Sequence, residues 1–180
     1  TIETQTDDGS SQVGLMRSKD QGQSWGDFSL IVSATERQFS RPTVLSSGPK
    51  SLLAIVEHDE QLYRCRSEDS GYHWTSPEQV LVGRQPYIAR ITDQLLACVA
   101  ARGPSNYGTM AVTFSYDNAE TWRCERTLMA YRAAAAHWGW PSALAFDANK
   151  LIVAISRTQL PSPSVDGPAS KPVSVEQERI

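Results

Sequence analysis

Three cysteines in 180 residues, Cys65, Cys98 and Cys124, stand far apart with neither CxxC nor histidine spacing, so no zinc site and no disulfide framework is indicated. They read as apolar strand residues. The longest aliphatic run, Leu52 to Val56, falls far short of the roughly 20 residues a membrane-crossing helix needs, so no membrane span is expected. Positive charge is scarce as well. Seventeen Lys and Arg are dispersed and outweighed by twenty Asp and Glu, giving a net charge of -3, and nucleic acid is not expected as a partner. The three histidines, His58, His73 and His137, share no metal spacing, and no nucleotide loop or cofactor signature occurs, so no metal and no cofactor is expected. There is no Asn-x-Ser/Thr sequon and no basic-then-apolar leader at Thr1, which leaves the compartment unread. Lysine is the rarest charge, four against thirteen arginines; the ratio suits carboxylate recognition, and codon bias explains it more simply.

What remains is a soluble composition with core-forming capacity, 40% hydrophobic at a mean hydropathy of -0.38, for which one domain is the default. One octet recurs three times: Ser18-Lys-Asp20-Gln-Gly22-Gln-Ser24-Trp25, Ser67-Glu-Asp69-Ser-Gly71-Tyr-His73-Trp74 and Ser115-Tyr-Asp117-Asn-Ala119-Glu-Thr121-Trp122. Their tryptophans lie 49 and 48 residues apart, a period that belongs to a recurring supersecondary unit such as a four-stranded propeller blade. Each position has a task in a tight turn. The Asp accepts from backbone N–H groups of its own turn, the residue two further on takes positive φ, and the Trp is expected to bury its indole between sheets. Ala119 stands where Gly is expected, at about 1–2 kcal/mol for a left-handed conformation, so Asn118 is expected to take that dihedral instead. Asp20, Asp69 and Asp117 are therefore structural; three copies of one catalytic carboxylate make no mechanistic sense.

The flanking strands repeat too. Pro42 to Leu45 precedes a Gly48-Pro49 turn and Leu52 to Val56; Pro86 to Ala89 precedes Asp93 and Leu95 to Val99; Pro141 to Leu144 precedes Asp147 to Asn149 and Leu151 to Ile155. A third strand then leads into the octet's Ser and a fourth follows its Trp. Runs of five aliphatics suit strands buried on both faces, as stacked blades require. The reading is all-β: a β-propeller of four-stranded antiparallel blades over residues 1–158, with 159–180 a Pro/Ser-rich tail or an incomplete blade. At about 48 residues a blade, the chain holds three to four blades, whereas a closed propeller has four to eight. Two explanations stand: a fragment of a longer propeller, or an open arc that self-associates through its exposed edges.

The octet resembles the Asp box, or BNR repeat, of sialidases, and the blade pattern over roughly residues 12–158 is similar to the six-bladed propeller of sialidase-like glycoside hydrolases. Asp boxes also occur in non-hydrolytic propellers. The succession Arg84-Gln85-Pro86, Arg90, Leu95-Leu96-Ala97, Arg102-Gly103-Pro104 and Tyr107-Gly108 resembles later blades of bacterial members, which continue to Gly-Tyr-Pro-Ser; here Gly139-Trp140-Pro141-Ser142 stands in that place.

The resemblance implies cleavage of a terminal sialic acid or related sugar from a glycoconjugate, or, alternatively, a non-catalytic propeller segment that binds carbohydrate or protein. Sialidases grip the sugar's carboxylate with an arginine triad, attack with a Tyr assisted by a Glu, and use an Asp as acid and base, because an anionic sugar repels a carboxylate nucleophile. Carried over by position, Arg41, in Phe39-Ser40-Arg41-Pro42, and Arg84 are candidates for the first arginine and Arg102 for the second. Asp59 is the candidate acid. Tyr107, near Arg102 in sequence, is a candidate for substrate binding, and Trp140 replaces the expected tyrosine. Trp138 and Trp140, two apart on a strand, share a face suited to stacking on a sugar ring or to packing between blades. The resemblance also implies a secreted or periplasmic protein.

Overall fold

The computed structural model describes residues 1–5, 11–34, 37–103, 107–132, 136–138, 141–155 and 157–159. Among them there are fifteen strands and no helix. Strands β1 (Ile2–Gln5), β2 (Ser11–Arg17) and β3 (Gly26–Ala34) form the first sheet. The second is a meander of β4 (Ser40–Ser46), β5 (Leu52–His58), β6 (Gln61–Ser67) and β7 (Glu78–Val82). The third repeats it with β8 (Arg84–Thr92), β9 (Leu95–Arg102), β10 (Tyr107–Ser115) and β11 (Arg123–Arg132). A short β12 (Ala136–Trp138) pairs with β15 (Arg157–Gln159), and β13 (Ser142–Asp147) with β14 (Lys150–Ala154). Every pairing is antiparallel. This is the all-β, partial-propeller architecture the repeat demands.

The aliphatic runs explain the stacking. Leu53, Ala54, Ile55 and Val56 are all fully buried, because odd and even positions of β5 face different neighbours. Ala54 and Val56 pack with Val13, Leu15 and Ile31 of the first sheet, while Leu53 and Ile55 pack with Ile88, Leu96 and Cys98 of the third. A further seam joins Ala97, Val99 and Met110 to Ala143, Leu151 and Val153. Cys65 and Cys98 serve as core residues, and burial pushes both thiols up to about 12, which makes them unreactive.

The innermost strands share one irregularity. Pairing slips between Ser40 and Thr43 opposite Glu57 and Ile55, and in the same way between Arg84 and Tyr87 opposite Ala101 and Val99. Pro42 and Pro86 sit inside these bulges, where a missing N–H breaks no ladder bond. The preceding residues, Arg41 and Gln85, take φ of 51° and 53°.

The octet turns correct two expectations. Asn118 and Ala119 both adopt positive φ, 54° and 65°, as do Gln21 with Gly22 and Ser70 with Gly71, so Asn118 accompanies Ala119 and does not replace it. Burial of the indole also holds unevenly. Trp74 packs on the seam toward the first sheet and Trp122 on that toward the second, but Trp25 is 64% exposed, since no further sheet among the described residues lies against it.

Candidate functional site

A meander has two edges. One carries the β4–β5 and β8–β9 turns and all three octets; the other carries the starts of β4 and β8, the β5–β6 turn and the junction of β9 with β10. Arg41, Asp59, Arg84, Arg102 and Tyr107 all fall at the second edge, opposite the octets.

On the octet edge the carboxylates are consumed by their own turns. Asp20 accepts from the Ser24 N–H at 2.9 Å, the Ser24 hydroxyl at 2.5 Å and the Ser18 hydroxyl at 2.7 Å. Asp117 accepts equivalently from Thr121 and Ser115, and Asp69 from His73 and Ser67. Hydrogen bonds from Ser24 and Ser18 hold Asp20 down to about 2, those from Thr121 and Ser115 do the same to Asp117, and the His73 bonds hold Asp69 well below the usual range. All three stay ionised as turn acceptors.

The opposite edge opens on a concavity of about 750 Å³ walled by the innermost strands of three sheets and by β1. Arg41 lines it together with Glu3, Thr43, Gln85, Tyr87 and Ser142. The Arg41 Nη1 donates to Oε1 of Glu57 at 2.6 Å, and the other oxygen of Glu57 accepts from the Gln85 backbone N–H at 2.6 Å. The Glu57 side chain is 6% exposed, whereas that of Arg41 is 38% exposed. Glu3 accepts from the Arg41 backbone N–H. The result is a guanidinium paired through Nη1 with a buried anion, in a residue that lines the concavity. Pairing of this kind orders a guanidinium in advance of any further contact it makes.

The other candidates sit differently. Arg102 donates from Nε to Glu125 at 2.9 Å and from Nη2 to the Thr113 hydroxyl at 3.0 Å, and its side chain is 13% exposed. Its Nη1 is buried, makes no hydrogen bond, and lies so close to Gly83 that a Cβ there would come within 2.1 Å. Arg84 donates from Nη2 to the Gly103 carbonyl at 2.8 Å, and its Nε lies 3.7 Å from Glu60. Among the described lining residues Arg41 is thus the candidate arginine that reaches the concavity. Asp59 and Glu60, with φ of 49° and 61°, form the two-residue loop of a tight hairpin and are exposed. Tyr107 opens β10 opposite Arg132, Trp138 closes β12 opposite Arg157, and Trp140 lies outside the described residues.

Glu57, two residues before Asp59, is not among the residues the sequence singles out. The signal was available: counting alternately from Leu53 and Ile55 places Glu57 on the buried face toward the third sheet, where an acid needs a cationic partner.

No protein-family model matches this chain, and no curated protein matches it. Among solved structures, the "Hadza microbial sialidase Hz136" matches with a TM-score of 0.57 at 15% identity, covering 87% of this chain. The match takes in 43% of that protein, so this chain spans less than half its length. At that identity the likeness is one of fold: the sheets are arranged as in part of a sialidase-like propeller.

Proposed function

We propose that this chain forms part of a sialidase-like glycan-recognising propeller, with the concavity as its sugar site and Arg41 as the group that meets the carboxylate of an acidic sugar such as sialic acid. The observation that carries this reading is the Arg41–Glu57 pair: a guanidinium held by a buried carboxylate at the mouth formed by the innermost strands, on the edge away from the octets. Arg84 and Arg102 enter the proposal as arginines of the same edge, and Asp59 as its exposed acid. On this reading the octets are Asp boxes that brace the blades and take no part in binding.

Hydrolysis is the stronger form of the proposal, and binding without cleavage is the alternative. One observation favours the alternative. The carboxylates of Glu3 and Glu57, both at the Arg41 loop, are spent on Arg41 and Gln85, so neither is free to move a proton. Titration of N-acetylneuraminic acid, with galactose as the neutral control, tests the shared claim. Saturable binding of the acid alone, weakened at least tenfold by Arg41→Ala, supports it; equal binding of both sugars, or no loss in the variant, removes Arg41 from the site. Turnover of a fluorogenic sialoside by the same chain then separates the two forms, and Arg102→Ala reports whether that arginine contributes.

A further inference from the structure

Given the sugar-site reading, on which this rests, we propose that Gln85 is a specificity-determining residue of the concavity. Arg41 meets the charge of the acidic sugar, and the Gln85 side-chain amide takes up a hydroxyl of the same sugar. The site then selects hydroxylated acids over plain carboxylates.

Arg41 and Gln85 hold one position in two successive sheets. Each stands directly before the proline of its bulge, Pro42 or Pro86, and each lines the concavity. Each is also left-handed, with φ of 51° and 53°. That conformation is sterically disfavoured for a residue with a Cβ and open to glycine, so a turn that served the fold alone would be served best by glycine. Two long polar side chains stand there instead. Backbone strain of this kind gathers where a site holds its side chains ready.

The strained pair is held by a repeated clamp. Glu3 accepts from the Arg41 backbone N–H, and Glu57 accepts from that of Gln85 at 2.6 Å. The two acids are themselves equivalent: Glu3 pairs with Val13 and Glu57 with Leu62, each partner five residues before its octet serine. The same position of the third sheet is Ala101, opposite Met110, so the strand itself does not require an acid there. Among the described residues the acid occurs where the next sheet's pre-proline residue lines the concavity.

Glu57 also fixes the two residues relative to each other. One of its oxygens accepts from Arg41 Nη1 at 2.6 Å while the other holds the Gln85 N–H, so both branch from a single carboxylate and a ligand the size of one sugar ring spans them. Their chemistry differs. Gln85 hydrogen-bonds through its backbone, and among the described residues its amide has no protein partner. A carboxylate only accepts, and the Arg41 fork suits it; a hydroxyl both donates and accepts, as a neutral amide does.

Titration of the 180-residue chain with two acids, followed by NMR, tests the assignment. One is N-acetylneuraminic acid; the other is tetrahydropyran-2-carboxylic acid, which keeps a ring and a charge and lacks the hydroxyls. The wild type is expected to prefer the sugar. Gln85→Ala and Gln85→Met, each confirmed folded by circular dichroism, are expected to weaken the sugar about fivefold to tenfold and the plain acid less than about twofold, as loss of one neutral hydrogen bond requires. Gln85→Met keeps the length of the side chain, which separates lost hydrogen bonding from lost packing. Arg41→Ala is expected to weaken both acids. Unchanged affinity for the sugar in both Gln85 variants, or an equal loss for the two acids, overturns the role of Gln85 and leaves that of Arg41 standing. A wild-type chain that binds neither acid, or an Arg41→Ala chain that binds both as the wild type does, overturns the sugar-site reading and the role of Gln85 with it.

Discussion

The guanidinium of Arg17 donates from Nε and Nη2 to the backbone carbonyl of Ser70, at 3.2 and 2.9 Å, across the seam between the first and second sheets. Arg66, which precedes its octet serine as Arg17 does, donates to the carbonyl of Asn118, the residue equivalent to Ser70, at 2.5 Å. The stacking is thus pinned by one device used twice. Ser70 and Asn118, whose carbonyls it captures, are both left-handed, with φ of 64° and 54°.

Arg66→Lys is expected to lower stability by about 1–2 kcal/mol, since an ammonium cannot span the Asn118 carbonyl and Glu120, 2.9 Å from Arg66, in a single planar fork. Urea midpoints at fixed slope measure it. Arg126→Lys, whose guanidinium donates to the carbonyl of the adjacent Glu125, is the control and is expected to change little.

The same seam separates two glycines. A Cβ on Gly71, at φ +86°, would meet Arg17 Nη2 at 2.9 Å and Leu52 and Leu15 methyls at 3.0 and 3.1 Å, whereas one on Gly22, at φ +88°, meets nothing within 4 Å. Gly22→Ala is expected to lose only the dihedral preference, about 1 kcal/mol, and Gly71→Ala that loss plus overpacking, about 2–4 kcal/mol. Equal losses in thermal unfolding would mean that the Arg17 contact does not constrain the turn.

The architecture was legible because its signals are local. An octet with Ser, Asp and Trp at fixed offsets specifies a turn whose hydrogen bonds lie within eight residues, and alternating aliphatics specify two-faced strands. The site was legible only in part, because the partners that decide each arginine's role come from distant residues. Arg102, the sequence's candidate for a second arginine, is held by Thr113 and Glu125, eleven and twenty-three residues further on. Arg41 is distinguished by Glu57, sixteen residues away, and by the neighbouring sheet's Gln85. The exposure of Trp25 was not legible for a related reason: burial of an octet tryptophan is a property of the sheet that precedes it.

The octet carboxylates set an acid limb. Asp20 and Asp117 have folded values depressed from 3.8 to about 2 by hydroxyl and backbone donors of their own turns. A depressed folded value contributes stability above the unfolded value and loses it as pH falls through the folded one. Stability is therefore expected to decline between pH 3.8 and about 2, and Asp20→Asn or Asp117→Asn to flatten the profile in that window while lowering the plateau above it. Thermal midpoints across that range decide the matter; an unchanged slope in the double variant would assign the acid limb to other carboxylates.

Glu57 makes the sharpest claim about the concavity, because it serves two sheets with one carboxylate. Removing it leaves Arg41 without its anchoring anion and the half-buried Gln85 N–H without its acceptor, so Glu57→Ala is expected to cost about 3–5 kcal/mol. Glu57→Gln keeps the acceptor oxygen for Gln85 and loses the charge, and a smaller loss of about 1–3 kcal/mol is expected. If Arg41 meets an acidic sugar, the two variants part in a second way. Glu57→Gln, folded and with Arg41 no longer neutralised, is expected to bind N-acetylneuraminic acid with altered affinity while galactose binding stays absent. A Glu57→Gln protein with unchanged stability and unchanged affinity would show that the buried pair neither joins the sheets nor positions the arginine.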